Sequence, residues 1–170
     1  MSPLDSPDSA TANLLGSAEK FCEWVESEQH SLMEARQLLL DLMATIPSLQ
    51  HFRDAGTSEA DFPRRGFDGW ERDYRTFSGL PFQCYQKIFD PHCLDSADEP
   101  VLGDLYDDLA DIYGDLWHGL QAYQSGDLEE AISLWVDSYF SLWGGHASYA
   151  LRAIDTYYCE NLSINQQGVS

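Results

Sequence analysis

With 170 residues, of which 44% are apolar and 13% aromatic, the chain is long and apolar enough for one folded domain with its own core. A formal charge of −20 excludes phosphate-driven nucleic-acid binding and adhesion to an anionic membrane, because both need a basic patch, and favours cations or a basic protein as partners. No apolar run reaches the ~20 residues that span a bilayer, and Met1–Asp8 has neither the basic nor the apolar stretch of a signal peptide, so a cytoplasmic location is expected.

Residues 1–10, rich in Ser, Pro and Asp, predict a disordered tail and residues 161–170 a flexible one, leaving a single all-α domain over 11–160. Leu14, Leu15, Ala18, Phe21, Cys22 and Val25 repeat at helical spacing. Ser31 with Glu34 then forms a capping box for a stripe of Leu32, Ala35, Leu39, Leu42 and Ile46, stopped near Pro47. Pattern alone leaves open whether 12–46 is one bent helix or two. The periodicity fails from Arg53 to Gly69, where Gly56, Pro63 and Gly66 predict a long loop. Trp70, Tyr74 and Phe77 predict a short helix; Phe82, Tyr85, Ile88 and Phe89 predict another, ended by Pro91 and followed by an acidic loop over 90–99.

The strongest pattern starts at Pro100, where Leu102, Leu105, Leu109, Ile112, Leu116, Leu120 and Tyr123 make one apolar stripe. Gly126 suits a left-handed helix end, and Asp127 with Glu130 caps the next helix. That helix carries Ala131, Leu134, Trp135, Ser138, Leu142, His146, Tyr149 and Ala153 on one face. The predicted fold class is all-α: a single-domain helical bundle with a long C-terminal antiparallel helical hairpin. Cys22, Cys84, Cys93 and Cys159 form no C-x-x-C pair, and Cys93 beside His92 lacks a second metal-binding knuckle. Reduced thiols are expected.

Three features bear on chemistry. Asp104, Asp108, Asp111, Asp115 and His118 fall in one stripe of the helix after Pro100, flanked by Asp107. Aspartates at i,i+4 repel one another by a few tenths of a kcal/mol, and a solvated acidic face is the expectation. Asp108, Asp111, Asp115, His118 and His146 are also the candidate ligands for a divalent metal, since carboxylates and imidazole at this spacing bind one in helical bundles. Otherwise no cofactor is expected. Charge is segregated too: no Lys or Arg lies between Ile88 and Leu151, whereas Arg53, Arg64, Arg65, Arg72 and Arg75 cluster in or just after the first long loop. That arginine segment is expected to fold over the hairpin and pair guanidinium with carboxylate, and Arg152, on the final helix, to pair with a carboxylate. Lastly, His146, within Trp143-Gly144-Gly145-His146, is expected to be a buried, satisfied core residue. No G-x-S-x-G, Walker loop, G-x-G-x-x-G or H-E-x-x-H motif occurs, which leans against an enzyme.

Asp107-Asp108-Leu109-Ala110-Asp111-Ile112-Tyr113-Gly114-Asp115-Leu116, the turn at Ser125-Gly126-Asp127, and Trp143-Gly144-x-His146 followed by Ala150-Leu151-Arg152-Ala153 resemble an uncharacterised bacterial family catalogued as a domain of unknown function. Leu142 and Asp155 depart from it, standing where that pattern has histidine. The resemblance implies an all-α bacterial cytoplasmic protein and brings no assigned activity. The expected function is a non-catalytic protein-interaction or regulatory module, using Asp104, Asp107, Asp108, Asp111, Asp115, Arg64, Arg65, Arg72, Arg152 and Trp143 as its interaction residues. The alternatives are a divalent-metal-binding protein or metal-dependent enzyme built on the Asp/His face, and a DNA mimic.

Overall fold

A computed structural model of the chain describes residues 9–56, 60–88, 92 and 99–167, with side chains described as far as Asn161. The expected tail over 1–8, Phe89, Cys93 and most of the acidic loop lie outside the described residues.

Two separate helices occupy the N-terminal region, α1 (Ser9–Val25) and α2 (Leu32–Thr45). The Ser31 hydroxyl caps α2 by accepting from the Glu34 amide at 3.3 Å and donates to the Glu34 carboxylate at 2.7 Å. Leu14, Ala18, Phe21, Cys22 and Val25 of α1 and Leu32, Ala35, Leu39 and Leu42 of α2 are buried, as their spacing predicts. A loop leads to α3 (Phe67–Thr76), and the chain then forms β1 (Cys84–Lys87) and β2 (Val101–Asp104), paired antiparallel with Tyr85 opposite Gly103. The long helix α4 (Leu105–Gln124) turns at Gly126, where φ is +96°, into α5 (Leu128–Ser138). A π-turn over Tyr139–Trp143 joins α5 to α6 (Gly144–Gln167). The fold is all-α apart from the two short strands, with α4 and α5–α6 as the antiparallel hairpin; α4 lies at its centre, touching α1, α3, α5 and α6.

Three expectations are corrected. Within the helix predicted from Phe82 to Phe89, Cys84–Lys87 form strand β1, because they pair with Val101–Asp104 rather than burying one helical face. The helix predicted from Pro100 starts at Leu105, since Asp104 takes the cap position, and Leu102 is left 74% exposed on the strand. The single stripe expected from Ala131 to Ala153 breaks at the π-turn, where one extra residue shifts the helical phase by about 100°. Trp143 is fully buried as a result, and Leu142 is 55% exposed. Helix α6 also runs on to Gln167, through part of the segment read as a tail.

The core is anchored by large buried side chains, among them Phe21, Phe77, Tyr113, Trp135 and Trp143, each contributing about 1.5–3 kcal/mol by burial. Gly119 lies directly beneath the Trp135 indole, which donates to the Leu116 carbonyl at 2.9 Å. That close approach locks α5 onto α4. No helix among the described residues is long and apolar enough to cross a membrane.

Candidate functional site: a carboxylate–histidine cleft

The carboxylates of α4 are turned inward. Asp104 caps the helix, its Oδ1 accepting from the Tyr106 amide at 2.9 Å, while its Oδ2 accepts from the Tyr74 hydroxyl and the Gln83 amide, each at 2.8 Å. One turn on, Asp108 has no exposure at all. Its Oδ1 accepts from His146 Nδ1 at 2.7 Å and its Oδ2 from the Tyr85 hydroxyl. Asp111 accepts from the Trp70 indole at 2.8 Å, and its Oδ2 stands 3.5 Å from His146 Nε2. Asp107 and Asp115 are half-buried beside them. The solvated face expected for this stripe is thus replaced by a cleft between α4, the start of α6, and α3 with the loop before it.

Local structure aims each partner. Trp70 and Tyr74, at i and i+4, form the face of α3 that meets α4. The β1–β2 pairing lays the Tyr85 ring over Gly103, where a side chain would come within 2.5 Å of the ring, and so directs the hydroxyl at Asp108. The π-turn rotates α6 so that His146, not Leu142, meets Asp108. Trp143 holds that turn, its indole donating to the Trp135 carbonyl at 2.9 Å.

The arginine segment covers α4 as expected, but its guanidinium groups do not bind the α4 carboxylates. Arg65 makes a two-pronged bond to Asp73 within its own segment (2.9 Å from Nε) and lies over the Tyr113 ring, and Arg75 pairs with Glu71. Trp70 and Tyr74 hold the face of α3 against α4, so indole and phenol supply the donors. Arg72 lines a pocket beside Asp73, away from the cleft. Arg152 has no carboxylate partner among the described residues, because it sits on the exposed side of α6 and neighbouring Asp155 is taken by Arg36 at 2.6 Å. Trp143, expected at an interaction surface, is wholly in the core.

His118 is 7% exposed, and its Nδ1 donates to the Pro63 carbonyl at 2.8 Å. Both histidines therefore commit Nδ1 to an acceptor and keep Nε2 free of that bond. They line, with Arg64, Trp70, Asp111 and Asp115, a cavity of about 270 Å³.

Crowding sets the protonation of the cleft. Burial first, and Asp111 second, push the Asp115 carboxyl up to about 6, against the opposing pull of His146 and Arg64. Asp107 rises for the same reasons, burial and then Asp111 and Asp108. The bond to Asp108 raises the pKa of His146 against the effect of its burial. Folded Asp115 thus holds its proton over a pH range where the unfolded chain has lost it, so its contribution to stability falls as pH rises from about 4 to about 6. Asp115→Asn is expected to stabilise the protein by about 1–3 kcal/mol above pH 7, with no gain below pH 4. Melting curves at both pH values check this, and an equal effect at the two would refute it.

His146 Nε2 and Asp111 Oδ2 are spaced as two ligands of one ion, since donors at about 2.1 Å in a tetrahedral shell stand about 3.4 Å apart. Among the described residues no group of three or more His, Cys, Asp or Glu side chains is placed to hold a metal ion. Asp115, four residues on from Asp111, lines the same cavity.

A family model described as "Domain of unknown function (DUF5063)" matches residues 5–160. The chain belongs to that family. No curated protein matches the sequence. The DUF5063 fold is shared with a solved structure, protein BF1032 from Bacteroides fragilis, at a TM-score of 0.70 and 16% identity, covering 87% of this chain and 91% of that one. At that identity the likeness shows the fold alone. In this DUF5063 chain the family-like run Asp107–Leu116 supplies the carboxylates and the Trp143–His146 run supplies the imidazole.

Sequence reasoning named Asp108, Asp111, Asp115, His118 and His146, and the fold brings them to one cleft. It missed Trp70, Tyr74 and Tyr85 as the donors that hold the carboxylates, placing the first two on one short helix and the third on another. The available signal was that a buried Tyr or Trp needs a partner for its polar atom, and the nearest acceptor-rich segment was α4.

Proposed function

We propose that this protein binds a divalent transition metal in the cleft between α3, α4 and α6, with His146 Nε2 and Asp111 as the first ligands and Asp115 as the third. The observation that carries the reading is Asp108. A fully buried carboxylate bonded to neither Lys nor Arg is costly, yet this one orients a single imidazole whose other nitrogen is left beside Asp111. Carboxylate-held histidine is the usual arrangement behind a metal ligand, because it fixes the ring and raises its basicity. His118, held the same way by the Pro63 carbonyl, is available across the cavity. A cation would also relieve the repulsion that raises Asp115 and Asp107. We take the protein to act in the cytoplasm, whose reducing conditions suit the free thiols of Cys22 and Cys84.

Zn²⁺ or Mn²⁺ at about a hundred times its Kd stabilises by about 2.7 kcal/mol, which for a chain of this size is a rise in Tm of about 5–11 °C. His146→Gln and Asp111→Asn should abolish the rise. No shift in the parent protein at saturating metal sinks the reading. Docking of a basic protein, through the acidic surface that the cleft does not use, is the second reading, favoured by the net charge of −20; it predicts a complex that weakens steeply with salt.

A further inference from the structure

Arg64 stands at the mouth of this cleft, lining both the 270 Å³ cavity and an adjoining one of about 190 Å³ that it shares with Asp115, His118 and Leu142. The chain carries 29 Asp and Glu against 9 Lys and Arg. Arg36, Arg65 and Arg75 each hold a carboxylate, whereas Arg53, Arg64, Arg72 and Arg152 make no ion pair among the described residues. Arg64 makes no ion pair or hydrogen bond among the described residues, although it is the unpaired arginine that lines the cavity with Asp111 and Asp115. Its side chain is exposed and lines the cavity, and a guanidinium fork matches the oxygens of a phosphate or carboxylate. The walls beside it are apolar: Leu142, turned outward at 55% exposure by the π-turn, Ala110, and the half-buried Trp70. A volume of about 270 Å³ lies just under the ~300 Å³ lower end of ordinary ligand pockets, so the ligand is small.

We propose that the cleft takes a small organic oxyanion, a phosphate ester or carboxylate, with its charged head between Arg64 and the metal and its body against Trp70 and Leu142. This rests on the metal reading, because an anion can approach Asp111 and Asp115 only when a cation stands between them.

The test titrates phenyl phosphate, benzoate and inorganic phosphate into the full chain, by calorimetry, with and without saturating Mn²⁺. Phenyl phosphate or benzoate is expected to bind the Mn²⁺-loaded protein, and whichever is tighter names the head group. Arg64→Gln should weaken that binding about tenfold, the worth of a charge-assisted bond, while leaving Mn²⁺ affinity no weaker, since it removes a positive charge. Leu142→Ala should weaken phenyl phosphate or benzoate and spare inorganic phosphate. Binding that needs Arg64 but not Mn²⁺ overturns the placement of the head group between Arg64 and a metal. Mn²⁺ binding with no effect of any oxyanion, or oxyanion binding indifferent to Arg64→Gln, overturns the proposal while leaving the metal reading intact. Binding of neither overturns both.

Discussion

Asp108→Ala is expected to destabilise the protein by about 3–5 kcal/mol, the cost of removing one member of a buried charged pair. The carboxylate is completely enclosed and serves two donors, His146 Nδ1 and the Tyr85 hydroxyl. Without it both are stranded: the imidazole loses the bond that raises its pKa, and the phenol, itself pushed up by burial and by that bond, has no acceptor. A void the size of the carboxylate adds to the loss. Asp108→Asn keeps the volume and one acceptor oxygen, so it should cost less, yet it should still weaken metal binding by about 10–100-fold by releasing the ring. Denaturant unfolding of the two variants measures the first effect and metal titration the second. A loss under 1 kcal/mol for Asp108→Ala, with metal affinity unchanged, would remove Asp108 from the centre of the site.

Gly119→Ala is expected to be comparably damaging, at about 3–5 kcal/mol, for a reason that owes nothing to chemistry. Helix propensity alone would make alanine better by about 1 kcal/mol. Packing reverses the sign, because the added carbon would lie 2.1 Å from Trp135 Nε1 and 2.6 Å from Cδ1. Trp135 has no exposure and is tied to the Leu116 carbonyl, so it cannot step aside without opening the contact between α4 and α5. The control is Gly16→Ala in α1, where nothing lies within 4 Å of the new carbon, and there the propensity gain should appear as a small rise in Tm. Should Gly119→Ala melt at or above the parent, the close approach of α5 to α4 would be refuted.

The α4 carboxylates show where legibility ended. Their helical register was plain from spacing, and so were the leucine face, the Gly126 turn and the Asp127 cap, because each depends on residues within one or two turns. What lies against them was not. Tyr85 reaches Asp108 through a strand pairing across seventeen intervening residues, 85 to 103 on the partner strand, and strand pairing leaves no periodic trace in four-residue elements. His146 reaches it because a π-turn, which has no sequence period of its own, offsets α6 by one residue. Leu142 was misplaced for the same reason. The arginines misled because charge complementarity is symmetric: Arg65 could satisfy itself on Asp73 eight residues away as well as on α4, and the nearer carboxylate won with less chain to order.

By itself, then, the amino-acid sequence determined what is local and additive: an all-α chain, N-terminal helical stripes over 12–46 and a C-terminal hairpin, their buried faces, most of their caps, and a stripe of carboxylates facing one way. Only the tertiary structure decided that this stripe faces inward, that Asp108 is sealed against Tyr85 and His146, and that Arg64 is left unpaired at the mouth of the resulting cleft. The physical reason is that burial and pairing of a charge depend on which distant donors the packing delivers to it, and a helical repeat carries no record of those.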